Sequence, residues 1–195
     1  MTETTALTWN HLLLEQFEWH WEHFLRRRIS AGLTDEEYFW EPVPGCWSVR
    51  ARGTSSAPVQ AGSGDVTIDF AFPEPDPPPL TTIAWRLGHV IVGVLAVRNA
   101  AHFGAPAADY QSWEYAATAD AALAQLDEQV ATWTAGVRGL GEEGLARPCG
   151  EAEGPFAAEP MATLVLHIHR ELIHHGAEVL LLRDLYRHSG GGSVG

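Results

Sequence analysis

The stretch that decides the fold is residues 161–186, MATLVLHIHRELIHHGAEVLLLRDLY. Steps of three and four residues through it produce one stripe: Met161, Val165, Ile168, Leu172, His175, Val179, Leu182 and Tyr186. Residues at that spacing share one face of an α-helix, so the stretch predicts a long helix, from after Pro160 to about Arg187, that packs against a core. Only His175 interrupts the apolar and aromatic character of this stripe.

Three other segments show helical spacing of apolar residues. They run over residues 8–29, about 81–103, and from a cap at Thr118 or Asp120 to about 137, where a Gly-rich turn follows. Four long helices joined by loops predict an all-α protein, an up-and-down four-helix bundle that forms a single domain over residues 1–188. Residues 189–195 are rich in Gly, and we expect them to be a disordered tail.

An insertion interrupts the helical pattern after the first helix. Residues about 50–79 are rich in Gly, Ser and Pro, and they end in three consecutive prolines at 77–79. Within them, residues 65–72 alternate polar and apolar side chains as a short β-strand does. We therefore expect an irregular or hairpin insertion within the bundle.

The charge of the chain excludes one class of partner. The formal net charge is −13, and Arg supplies all 12 basic residues. An acidic surface repels the phosphates of nucleic acids, so we expect no nucleic-acid partner.

The distribution of apolar residues and of cysteines indicates a cytoplasmic protein. The most apolar window, residues 83–103, contains Arg86, His89 and Arg98, which argues against a membrane span. Residues 1–5 lack the basic and apolar pattern of a signal peptide. Cys46 and Cys149 are far apart and form no CxxC motif, so we expect free thiols in a reducing compartment.

Polar residues at core positions of two helices are the strongest functional signal. His89 lies on a stripe with Trp85, Val92 and Ala96, and Glu171 lies one turn before His175. Burying such groups without partners costs on the order of 1–3 kcal/mol each. Imidazole nitrogens and a carboxylate oxygen are suitable ligands for a divalent metal such as zinc, which we favour, or nickel or iron. The pattern therefore predicts a metal site formed by His89, Glu171 and His175.

Other interpretations of these histidines stay open at this point. A single core histidine usually bonds a backbone carbonyl or a tyrosine, without any metal. His167 also lies four residues from Glu171, so local geometry allows it to replace His175, although it lies beside the stripe. We expect His169 and His174 to project into solvent.

Three sequence runs resemble one known family. They are PVPGCWSV at residues 42–49, TIAWRLGH at 82–89 and RELIHHGAE at 170–178. In order and spacing they resemble the DinB-like superfamily, which includes thiol-dependent transferases and the mycothiol-dependent maleylpyruvate isomerase. The resemblance implies a four-helix bundle with one metal, held by a histidine of the second helix and two ligands a turn apart on the last. Many members have HxxxH there, whereas this chain has Glu171 and His175, similar to the isomerase.

The resemblance also implies a chemistry. A metal-bound low-molecular-weight thiol, such as mycothiol or bacillithiol, would attack a small-molecule electrophile, which makes the protein a metal-dependent S-transferase or isomerase. The alternative is a non-catalytic bundle that binds a metal or a small ligand.

The aromatic residues near the end of the first helix predict self-association. The stretch from Trp19 to Phe24 carries more large apolar side chains than one helix face can bury, and we assign His20 and His23 to packing at such a surface. We therefore expect a homodimer.

Overall fold

Threonine side chains begin three of the four long helices. The computed structural model of the protein describes residues 8–189. Thr8, Thr82 and Thr118 have extended backbones, and their side chains accept hydrogen bonds from N–H groups three residues later. Such caps satisfy N–H groups that have no partner within the helix. Thr118, and not Asp120, is therefore the cap of the third long helix.

The helices have the following bounds. Helix α1 covers residues 9–30 as α-helical Trp9–His20, π-helical Trp21–Leu25 and α-helical Arg26–Ser30, and α2 is the short Asp35–Tyr38. Helix α3 covers residues 83–103 as Ile83–His89, π-helical Val90–Ala96 and Val97–Phe103. Helices α4 and α5 are Ala119–Ala146 and Met161–His188, with a 3-10 segment, Glu151–Phe156, between them. The chain is mostly helical, as expected.

Helix α4 is longer than the sequence pattern predicted. It reaches Ala146, although the expected Gly-rich turn began after residue 137. It consists of two helical segments that meet at a kink at Gly141, where the backbone is not helical (φ 59°, ψ −172°), so the chain does break within the predicted Gly-rich stretch. Before Gly141 in the chain, the backbone oxygen of Val137 accepts a hydrogen bond of 2.8 Å from the Asn10 side chain of α1. Glu142, just beyond Gly141, accepts a hydrogen bond of 2.9 Å from the Asn10 backbone N–H. The contacts between α1 and α4 therefore continue on both sides of Gly141.

The insertion is a small antiparallel sheet, so the expectation of an all-α protein was too narrow. Strands β1 (Val49–Ala51), β2 (Val59–Ala61) and β3 (Val66–Phe70) form it in the order β1-β3-β2. Val49 pairs with Ile68, and Val59 pairs with Phe70. The predicted strand at 65–72 is β3, and β2 and β3 form the hairpin. Ile68 is fully buried because the sheet packs against α3.

The core lies between the four long helices. Helix α1 packs on α4, and α5 contacts α1, α3 and α4. The stripe of α5 is buried as predicted from Met161 to Val179, and becomes half-buried at Leu182 and Tyr186. Both cysteines are buried and free.

Buried Arg183 connects α5 to α2 through an ion pair and to the end of α1 through backbone oxygens. Arg183 is 1% exposed, and its Nε donates to Glu37 Oε1 at 2.6 Å. Its remaining N–H groups donate to Glu37 Oε2 and to the backbone oxygens of Arg28, Ile29 and Ala31. This arrangement satisfies a buried guanidinium completely, as burial of a charge requires.

Two sequence expectations fall on the chain ends. The expected tail at 189–195 lies outside the described residues except for Ser189, and residues 1–5 lie outside them as well. Over residues 8–189, no helix combines the length and the apolar character that a membrane span requires.

A candidate metal centre between two helices

Helix α5 places Glu171 and His175 side by side on its inward surface. Glu171 Oε2 lies 3.4 Å from His175 Nε2, as expected for residues four apart on a helix. On its other side, His175 Nδ1 lies 2.7 Å from Glu178 Oε2. The His175 side chain is 10% exposed and that of Glu171 is 25% exposed, so the pair lies at the edge of the core.

The hydrogen bond to Glu178 determines the form of a neutral His175. A carboxylate only accepts, so Nδ1 must carry the proton that it donates to Glu178. Nε2 of the neutral ring then presents a lone pair toward Glu171, and two acceptor atoms face each other across 3.4 Å. A cation between them removes this conflict. A second proton on His175 is one such cation, and a divalent metal ion is the other.

Helix α3 brings His89 to the same place. The rings of His89 and His175 are edge to face, with centroids 4.8 Å apart. His89 stacks on Trp85, with centroids 5.3 Å apart and an interplanar angle of 12°. Its Nδ1 lies 2.8 Å from the Tyr110 hydroxyl. In the tautomer in which Nδ1 donates to Tyr110, Nε2 is free to bind a ligand.

His89 is neutral near pH 7. Burial, then the nearby His175 and Arg86, lower the pKa of His89 to about 4. Burial raises the pKa of Tyr110 to about 12, so its hydroxyl keeps its proton. A neutral imidazole binds a metal without first losing a proton.

The partners of the two histidines resemble the outer shell of known metal sites. Metal-binding histidines usually fix their orientation by donating the second ring N–H to a carboxylate or another acceptor. Glu178 does this for His175, and Tyr110 is placed to do it for His89. Arg86 on α3 lies 3.2 Å from Glu178 Oε2 and so connects the two helices around the site.

The backbone near His89 is shaped to admit Tyr110. A π-helical segment begins directly after His89, and it contains Gly93. A Cβ at Gly93 would lie only 1.9 Å from the Tyr110 hydroxyl, so any other residue here would displace Tyr110. Phe70 of β3 packs edge-on against Tyr110, with centroids 4.9 Å apart. The inserted sheet therefore supports the side chain that holds His89.

The structure brings together a different set of possible ligands, which shares only His175 with the predicted set. Within residues 8–189, ligand atoms of His174, His175 and Glu178 all lie within 4.8 Å of one another and could hold a metal ion. His174 is 63% exposed, however, and Glu178 is already paired with Arg86. The two groups share His175 and differ in whether α3 contributes a ligand. The set of His89, Glu171 and His175 remains a prediction.

The other histidines of α5 divide into two classes. His174 is exposed, as expected, and His167 lies near the surface, with its Nδ1 2.6 Å from Arg170 Nη2. The expectation that His169 projects into solvent was wrong. His169 is 6% exposed, and its ring stacks on Phe17 with centroids 4.2 Å apart. Helix α5 contacts helices on two sides, so it buries more than one stripe.

Gly176, directly after His175, does not enlarge the candidate site. A Cβ at this position would lie 2.6 Å from methyl groups of Leu25. The missing side chain instead lets α1 approach α5 closely.

Several residues of the site were missed by the sequence reasoning. Tyr110 lies in the loop between α3 and α4, where no helical or strand periodicity marks it. Arg86 and Glu178 lie on helices that the sequence predicted, but nothing in one helix indicates a contact with another. The spacing of Glu178 three residues after His175 was the one available signal.

Comparison with known proteins identifies the family. The family model of the DinB superfamily matches residues 16–179, which include most of α1, the inserted sheet, α3, α4 and most of α5. Comparison with curated proteins finds no match. Comparison with solved structures finds none either. Since the family match extends over most of the chain, this protein belongs to the DinB superfamily.

Proposed function

We propose that this protein binds one divalent metal ion through His89, Glu171 and His175. We further propose that it uses the metal to react a low-molecular-weight thiol with a small-molecule electrophile, as an S-transferase or isomerase. The observation that carries the metal proposal is the pair of acceptors, His175 Nε2 and Glu171 Oε2, which face each other across 3.4 Å.

The donor set fits zinc best, with nickel or iron as alternatives. Two imidazole nitrogens and one carboxylate oxygen form a typical catalytic zinc set, which leaves a coordination position for another ligand. When bound, the metal would lower the pKa of a coordinated thiol and so supply thiolate at neutral pH. Mycothiol and bacillithiol are the candidate thiols.

The residues of this chain would orient the ligands and control their charge. Tyr110 and Glu178 would hold the two imidazole rings with Nε2 directed toward the metal. Arg86 would balance the charge of Glu178. Because His89 is neutral, the site would carry one carboxylate charge from Glu171, which favours a divalent cation.

The alternative is a non-catalytic protein in which the metal or another small ligand is bound without turnover. Elemental analysis of protein purified without chelators tests the metal proposal, and we expect close to one equivalent of metal. Consumption of an electrophile panel with several thiols, with and without chelator, tests the chemistry. Bound metal without thiol-dependent turnover would favour the alternative, and metal at background level with no uptake on titration would refute both metal proposals.

We also infer the architecture around the site and its cellular setting. The four long helices α1, α3, α4 and α5 would form an up-and-down bundle in a single domain, and the protein would be cytoplasmic. Trp19 and Phe24 are 61% and 42% exposed, which favours a homodimer through this face of α1. Sedimentation at high concentration tests the dimer, and a mass equal to the 21.3 kDa chain would contradict it.

A further inference from the structure

A cavity of about 490 Å³ lies beside the N-terminal half of α5, apart from His89 and His175. Its walls come from three places in the sequence: Arg98 of α3, the segment from Cys149 to Glu159, and the α5 residues between Thr163 and Arg170. This volume is within the range of about 300–1,000 Å³ that is usual for small-molecule sites.

The wall opposite α5 is held in place by backbone hydrogen bonds. Cys149 N–H donates to the oxygen of Glu159 at 2.8 Å, and Met161 N–H donates to the oxygen of Arg147 at 2.7 Å. Inside this segment, the side chain of Glu153 is only 8% exposed: its Oε1 lies 2.8 Å from His102 Nε2, and its Oε2 lies 3.5 Å from Arg98 Nη2. The cavity therefore has a fixed wall, anchored to α3 by a buried carboxylate.

Most of the lining is apolar. Leu164 and the buried Cys149 lie on its inner side, and burial raises the pKa of the Cys149 thiol, which keeps it uncharged. Phe156 and Leu166 also line the cavity, although they are 66% and 55% exposed. Large apolar side chains left exposed around a concave surface are typical of a binding site.

Two residues of this lining offer hydrogen-bond donors to a ligand. Arg170 has a 70% exposed side chain; its Nη2 donates to His167 Nδ1 at 2.6 Å and lies 3.6 Å from Glu171 Oε1, and its other N–H groups form no hydrogen bond with the described residues. Because His167 Nδ1 accepts that bond, the proton of the neutral ring is on Nε2, which is a second donor. Arg98 also lines the cavity, but its Nε is enclosed by protein atoms and its Nη atoms are directed to Gly93 and Glu153.

We propose that this cavity binds a small molecule in which an apolar body carries one anionic oxygen group. Leu164, Leu166 and Phe156 would cover the body, and Arg170 and His167 would donate to the anion. The acidic oxygens of Glu153 are already directed to His102 and Arg98, and Glu159, the other carboxylate of the lining, is exposed to solvent. Binding here does not require a metal, so the proposal is independent of the proposed function.

Two related dyes provide a direct test. 1-Anilinonaphthalene-8-sulfonate has an apolar body with a sulfonate, and N-phenyl-1-naphthylamine has the same body without it. We expect the full-length protein, in chelator, to bind one equivalent of the sulfonate dye saturably, as followed by fluorescence. Arg170→Gln should weaken that binding about tenfold and leave the neutral dye unaffected, since one charge-assisted contact contributes about that much.

Matched variants locate the binding. Arg27→Gln removes the same charge from an exposed position on α1 and should change neither dye. Thr163→Trp fills the cavity from the exposed side of α5 and should weaken both dyes at least tenfold, with the helical circular dichroism unchanged. Retention of both dyes by Thr163→Trp, equal effects of the two arginine variants, or no saturable binding would each overturn the proposal.

Discussion

The imidazole rings of His89 and His175 meet edge to face, with centroids 4.8 Å apart, where α3 packs against α5. Each ring has Nδ1 engaged by another side chain, Tyr110 for His89 and Glu178 for His175. In the tautomer in which His89 Nδ1 donates to Tyr110, both Nε2 atoms would be available to the one ion that we propose.

The first prediction concerns the ligands themselves. We expect His89→Ala and His175→Ala to abolish binding of Zn²⁺, and Glu171→Gln to weaken it strongly because the amide loses the negative charge. Calorimetric titration of chelator-treated protein measures this. His167→Ala is the matched control on the same helix and should retain most binding, since His167 points to Arg170. Loss of binding in His167→Ala with retention in His175→Ala would mean that Glu171 binds the metal together with His167, one turn earlier on α5, and not with His175.

His174 discriminates between the two overlapping ligand groups. If α3 provides a ligand, His174→Ala leaves the zinc affinity within about threefold of the original protein, because its ring is exposed and outside the set. If the ion instead lies between His174, His175 and Glu178, the same change removes binding and His89→Ala has little effect. Titration of both variants under one buffer condition decides between them.

Tyr110 should act by positioning His89. We expect Tyr110→Phe to lower zinc affinity about 10- to 100-fold, which is the usual effect of losing an outer-shell hydrogen bond, while the fold is unchanged. Tyr186→Phe on α5 is a control that removes a hydroxyl away from the site. Competition with a chromophoric chelator measures the affinities. Unchanged affinity in Tyr110→Phe would mean that Trp85 alone orients the ring.

The buried pair of Arg183 and Glu37 makes a large contribution to stability. We expect Arg183→Met to lower the free energy of unfolding by about 3–5 kcal/mol, because it leaves a buried carboxylate without its partner. Urea denaturation of metal-free protein measures the change. Arg187→Met, one turn later and exposed, should cost much less.

A double substitution separates the charge from the packing. Adding Glu37→Leu to Arg183→Met removes the unpaired carboxylate and should recover part of the loss. Recovery would be incomplete, since the backbone oxygens of Arg28, Ile29 and Ala31 still lose their donor. A double variant less stable than Arg183→Met would contradict this account.

The helices were predictable because their causes are local. A threonine cap, apolar residues at steps of three and four, and a glycine at the end act within a few residues of chain. The stripe from Met161 to Val179 was buried as expected for this reason. The strand β3 followed from a similarly local alternation.

The second buried surface of α5 was not predictable in this way. His169 lies off the stripe, yet it is buried because α5 also packs on α1. A polar residue beside a stripe is usually solvated, and only the position of the neighbouring helices reverses that expectation. Glu37, the partner of Arg183, lies on α2, which no periodicity connects to α5.

The sequence by itself determined that the chain is mostly helical, that it resembles the DinB superfamily, and that His89, Glu171 and His175 belong to inward-facing surfaces. Only the tertiary structure decided that the rings of His89 and His175 are in contact. It also decided that Tyr110 and Glu178 contact their Nδ1 atoms, and that the inserted sheet packs against Tyr110. The reason is that periodicity determines the direction of a side chain about its own helix axis. The distance between atoms on different helices depends on how the whole core packs.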